Sequence, residues 1–142
     1  MFATMKPKYA IGILACLLLA ISTFMPWAWY PDLEKHFTGF FSEKNYYGKP
    51  GILFCAVAVA GLATYIFPRR WLLRLNLFFA AIGMAYAIKS YLLYTGAYTG
   101  IIPEKEAGVY IMAISSLVHL VVAMLGLNAP VGKKNTAMAQ TT

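Results

Sequence analysis

Residues 51–94 read GILFCAVAVAGLATYIF, then PRR, then WLLRLNLFFAAIGMAYAIKSYLLY. Two apolar runs, 51–67 and 71–94, are separated only by Pro68, Arg69 and Arg70. Proline ends one helix, and so short a connection makes the next its antiparallel neighbour. At about 1.5 Å per residue each run can cross a hydrocarbon core of about 30 Å, the first tightly and the second with room to tilt. Lipid offers no hydrogen-bond partner to open backbone, so both runs are expected to be helical.

Working outward, two more apolar runs occur at 9–25 and 108–127, which predicts a four-helix transmembrane bundle over residues 1–128. The tail, 129–142, is polar and is expected to be disordered in the cytoplasm. Composition agrees with the membrane class: 61% of the 142 residues are hydrophobic and only 12% are charged, about half the charged share of ordinary soluble domains. Lys6 and Lys8 before an apolar run also fit a signal peptide, but the sequence stays apolar past Cys16, so an uncleaved first helix is expected.

The net charge of +7 sits at the ends of the apolar runs and not along one stripe, which argues against nucleic acid as a partner. It sets topology instead. Lys6, Lys8, Arg69, Arg70, Arg74, Lys133 and Lys134 fall on one side, whereas all five acids share the other side with Lys35, Lys44, Lys49 and Lys105. The positive-inside rule then puts both termini in the cytoplasm, with Arg69, Arg70 and Arg74 as the main determinants. Short loops and this bias suit a bacterial inner membrane.

The first outer loop, 26–50, is the largest segment between runs and begins Pro26-Trp27-Ala28-Trp29-Tyr30-Pro31. Trp27, Trp29 and Tyr30 have the amphipathic rings expected at headgroup depth. Leu33, Phe37, Phe40 and Phe41 recur at helical spacing, predicting a short interfacial helix despite Gly39. The aromatic set Trp27, Trp29, Tyr30, Phe37, Phe40 and Phe41 is thus a candidate interfacial anchor or partner-docking surface. Four helices, internal termini and a large tryptophan-bearing first outer loop resemble, in topology, the claudin type of membrane protein. That family's first loop carries a cysteine pair and residues 26–50 carry none, so neither function nor residues are carried over.

In lipid, helices associate where small residues let backbones approach. Candidate ridges are Gly12, Cys16 and Ala20; Ala56, Ala60 and Thr64; Ala80, Gly83 and Ala87; and Gly108, Met112, Ser115, Ser116, His119 and Gly126. Lys89 is the formal charge deepest inside a run, and ionisable groups at such depth are functional candidates by default, with snorkelling to the headgroups as the structural alternative. His119 falls near mid-run, level with Gly83 when counted from the outer boundary, and Ser115 and Ser116 fall level with Tyr86. A polar cluster of Tyr86, Lys89, Ser115, Ser116 and His119 between the third and fourth helices is therefore expected, serving packing or a ligand.

No cofactor or metal is predicted. A bis-histidine haem needs two facing imidazoles, and the other histidine, His36, lies in the outer loop. Cys16 and Cys55 lack CxxC spacing, and no Glu-x-x-His or nucleotide-binding glycine loop occurs within a run. Little mass lies outside the runs and no catalytic constellation is visible, so the leading expectation is a non-catalytic accessory or structural subunit of a larger membrane complex. Its partners would be the bilayer and other membrane subunits or copies of itself. A small oligomeric transporter or channel using the polar cluster, and a redox or lipid/quinone-binding subunit with His119 as cofactor ligand, are the alternatives.

Overall fold

The computed structural model describes residues 6–45, 48–97 and 100–128; the expected tail lies outside them. In chain order the elements are α1 (Pro7–Ser22), β1 (Pro26–Tyr30), β2 (Lys35–Thr38), α2 (Pro50–Ile66), α3 (Arg70–Thr95), β3 (Glu104–Lys105) and α4 (Ala107–Leu127). By length and composition α3 and α4 can each cross a membrane, while α1 and α2 are apolar but shorter, at 16 and 17 residues.

Local sequence explains the helix boundaries. Pro7 and Pro50 open α1 and α2, where a missing N–H costs nothing. At the far end of α1 the hydroxyls of Ser22 and Thr23 donate to the carbonyls of Leu19 and Ala20 at 2.7 and 2.6 Å. Three turn bonds, from the N–H groups of Thr23, Phe24 and Met25 to Ala20, Ile21 and Ser22, carry the chain one turn further before Pro26 starts a strand. The expected 68–70 connection is as tight as its sequence implies, with Arg69 N–H donating to Phe67 O at 2.9 Å.

The four helices close into a ring in which each packs on its neighbours in the chain and α4 packs back on α1. On α3 the buried positions are Leu73, Asn76, Ala80, Gly83, Ala87, Ser90 and Tyr94, a strict three-four alternation that leaves most of the helix facing outward. The expected ridges on α3 and α4 face inward. On α2 the inward face is instead Phe54, Val57, Ala58, Gly61, Thr64 and Tyr65, with Ala56 exposed and Ala60 half-exposed.

The molecule departs from an all-α expectation at one end of the bundle, where β1, β2 and β3 form an antiparallel sheet in the order β2-β1-β3. The predicted interfacial helix is not formed. Glu34 takes a left-handed backbone conformation, φ 49°, which ends the 3-10 turn Pro31–Leu33 before it can extend. Lys35–Thr38 then pairs with β1, putting Ala28 opposite Phe37 and Trp29 opposite His36. The spacing of Leu33 and Phe37 mimicked a helix, but the aromatic-rich segment uses the two-residue alternation of a strand, Phe37 inward and His36 outward.

This sheet is fastened to the bundle by aromatic side chains. Trp27 is fully buried, donates Nε1–H to Ser22 O at 2.6 Å, and meets Phe54 and Tyr94 edge-on at 6.0 and 5.0 Å between centroids. Tyr30, Phe37, Val109 and Met112 belong to the same core. Gly108, at the start of α4, admits the strand: a Cβ there would collide with Pro26 O and the Trp27 ring. A second apolar cluster, nearer the opposite end, contains Tyr9, Cys16, Ala58, Tyr65, Leu73 and Val122.

Candidate functional site

The densest set of buried polar side chains lies in that second half of the bundle, and each helix contributes to it. His119 of α4 donates Nε2–H to Asn76 Oδ1 of α3 at 3.1 Å, with both side chains sealed from solvent. The Tyr65 ring of α2 stands edge-on to the imidazole, 5.8 Å between centroids. Cys16 of α1 approaches from the remaining side. Gly61 makes this convergence sterically feasible, because a Cβ there would lie 2.6 Å from Cys16 Sγ and 2.8 Å from His119 Nε2. The imidazole therefore occupies the space a side chain on α2 would fill.

Three polar atoms here or one turn away, Tyr65 Oη, Asn76 Nδ2 and Ser116 Oγ, are buried with no hydrogen-bond partner among the described residues. Unsatisfied groups of this kind are costly, and a water or small ligand could satisfy them. Cys16 and His119 are potential metal ligands, but among the described residues no three His, Cys, Asp or Glu side chains gather. Such a pair falls short of a zinc site.

Residues expected in one cluster separate in the structure. Ser115, Ser116 and His119 share the inward face of α4, but Tyr86 packs edge-on to Phe54 near the sheet, and Lys89 is exposed, its Nζ 5.1 Å from the Tyr86 centroid. The depth count explains the difference. His119 lies 12 residues from the start of α4, whereas its partner Asn76 lies 19 residues from the end of α3. The end of α3 thus rises about seven residues, or about 10 Å, beyond the start of α4. Lys89 becomes level with the start of α4.

Compared with family models, curated proteins and solved structures, the chain matches none. Its own geometry carries the functional argument.

The aromatic set of the first loop also divides. Trp27, Tyr30 and Phe37 are core side chains and present no docking surface, while Trp29 and Phe40 are partly exposed and Phe41 is exposed. The Trp29 ring lies tilted against His36, 4.3 Å between centroids, and His36 Nδ1 lies 2.8 Å from Glu106 Oε2, linking β2 to the residue before α4. Arg69, Arg70 and Arg74 are all exposed at the bundle end opposite the sheet.

Sequence reasoning missed Asn76, Gly61 and Tyr65. Asn76 carried a usable signal: it is a neutral amide inside an apolar run, four residues before Ala80 on the inferred ridge. Gly61 and Tyr65 had none of comparable strength, since α2 has small residues on both faces.

Proposed function

We propose that this chain is an integral membrane protein that crosses the bilayer four times and acts as a non-catalytic accessory or structural subunit of a larger membrane complex. The observation that carries this reading is the inverted distribution of polarity. Every helix turns large apolar side chains outward, among them Leu14, Val59, Phe78 and Ile114, each more than half exposed, while Thr64, Asn76, Ser90, Ser116 and His119 point inward. Exposing such a belt to water would cost about 25 cal/mol for each Å². Lipid removes that cost, and the inward polar groups then depend on partners within the bundle, as His119 and Asn76 do on each other.

The charge pattern supports an orientation with both termini cytoplasmic in a bacterial inner membrane. Lys6, Lys8, Arg69, Arg70 and Arg74 lie at the end opposite the sheet, and Asp32, Glu34, Glu104 and Glu106 lie at the sheet end. In this frame Lys89 sits at the outer boundary and needs no buried counter-ion. Trp29, Phe40 and Phe41 supply contacts to lipid or a neighbouring subunit, and the His119–Asn76 pair holds α3 in register with α4.

Labelling with a membrane-impermeant maleimide tests the topology: Lys35→Cys should react in intact cells and Arg69→Cys only after permeabilisation. The reverse pattern overturns the orientation, and release of the chain by alkaline carbonate overturns the integral reading. For the accessory role, purification of the tagged chain in mild detergent should return partners at fixed stoichiometry; a lone monodisperse chain would count decisively against it.

A second reading, a small oligomeric transporter or channel, draws support from the three unpartnered polar atoms, Tyr65 Oη, Asn76 Nδ2 and Ser116 Oγ. Liposomes containing the purified chain should then show a flux abolished by His119→Ala. Absence of flux across ions and small metabolites removes this reading.

A further inference from the structure

The outer wall of the bundle is not uniformly convex. Between α1 and α4 runs a cleft of about 170 Å³, walled by Ile11, Leu14, Leu18, Ile114 and Val118 and deepened where Ala15 meets Ser115. Small residues form its floor and long apolar ones its rims, with Leu14 57% and Ile114 62% exposed. Its volume corresponds to about six water-sized units, enough for a short stretch of hydrocarbon chain.

Toward the end opposite the sheet, the same seam between α1 and α4 is bridged by a cation. Lys8, one turn before Ile11, donates from Nζ to Leu125 O near the end of α4 at 3.3 Å. That bond occupies one of the three ammonium protons and holds the charge over the seam. Lys6 lies just beyond, immediately before α1. An apolar cleft with a cation one helical turn beyond its Ile11 end is complementary to a molecule with a hydrocarbon chain and an anionic head.

We infer that the α1–α4 cleft binds one acyl chain of an anionic phospholipid from the cytoplasmic leaflet, with its phosphate at Lys8. This rests on the four-span orientation proposed above, which brings the Lys8 end of the seam to cytoplasmic headgroup depth. A second copy of the chain or a partner helix would fill the apolar cleft but has no need of an anion at its end. The lysine therefore selects the lipid.

Native mass spectrometry of the full chain in mild detergent provides the test, with phosphatidylglycerol and phosphatidylcholine of identical acyl chains added at equal concentration. The wild-type chain should retain phosphatidylglycerol about fivefold over phosphatidylcholine, the difference expected for one lysine near an anionic head. Lys8→Met should abolish the preference while leaving phosphatidylcholine adducts unchanged. Ala15→Trp should fill the cleft and remove the preferred adduct, while Ala85→Trp, on the exposed face of α3, should retain it.

Equal retention of the two lipids by the wild type overturns the inference, as does a preference that survives Lys8→Met. A dimer in place of lipid adducts, lost on Ala15→Trp, overturns it in favour of a second copy. Should Ala15→Trp fail to fold, Lys8→Met still decides. Sodium carbonate extraction distinguishes failure of the parent reading: a membrane-retained chain without lipid preference refutes only the cleft assignment, whereas a released chain refutes the membrane reading itself.

Discussion

The two halves of the bundle are held by different physics. At the sheet end, large aromatic side chains fill the space between a three-stranded sheet and the helix ends, and Trp27 satisfies its indole N–H on Ser22 O. In the other half the helices meet through Gly61, Cys16 and Ala58, and the central contact is the polar pair His119–Asn76. Aromatic burial tolerates irregular backbone because each ring covers much area, whereas close helix contact depends on the absence of atoms at particular positions. Damage in the first half should scale with area lost, and in the second with atoms added.

The largest effect is expected for Trp27→Ala, which empties the space between β1, Phe54 and Tyr94 and should cost about 3–5 kcal/mol. Thermal unfolding in detergent measures it, and a loss below that of Gly61→Val would reverse the proposed ranking. Gly61→Val comes next: its Cβ would overlap Cys16 Sγ and His119 Nε2, costing about 1–3 kcal/mol through forced displacement. Restoration of stability by Cys16→Ala in the Gly61→Val background would locate the strain at that contact.

A smaller coupling is expected between His119 and Asn76. On the four-span reading, the double-mutant cycle of His119→Leu and Asn76→Leu should give about 0.6 kcal/mol, with an upper bound of about 1.7, because helices unfolded within a membrane also find partners. Zero coupling would mean that packing alone sets the register. Glu106→Gln, which removes the charge facing His36, should lower stability by less than about 1 kcal/mol, since His36 is 53% exposed and solvent screens the pair. Lys89→Ala should be within about 0.5 kcal/mol of the parent, as its side chain is exposed, with its ammonium 5.1 Å from the centre of the Tyr86 ring. A large loss there would restore Lys89 as a functional candidate.

Particular residues show where sequence reasoning reached and where it stopped. The inward ridges of α3 and α4 were legible because small and polar residues repeat at three and four residues along most of one face, from Asn76 to Ser90 on α3. The α2 ridge was legible only at Thr64, because Ala56 and Ala60 offer small residues at helical spacing just as Ala58 and Gly61 do, and only packing chooses between them. His119 was legible as a buried polar side chain needing a partner, yet its partner was sought about two turns too far toward the sheet. Depth counted from loop boundaries assumes that helices end at one level, and the rise of α3 beside the sheet breaks that assumption.

By itself the amino-acid sequence determined four apolar helices, their alternating direction through the 68–70 turn, the segregation of cations from acids, and the need for His119 to face inward. Those properties depend on residues near one another in the chain and on solvent. Tertiary structure alone decided that Pro26–Tyr30 and Lys35–Thr38 pair as strands, that β3 joins them from more than sixty residues away, and that Asn76, Tyr65, Gly61 and Cys16 surround His119. An aromatic segment of a few residues can satisfy its backbone as a helical turn or as a strand, and a single apolar helix has several faces able to pack. The choice rests with the partner brought from elsewhere in the chain.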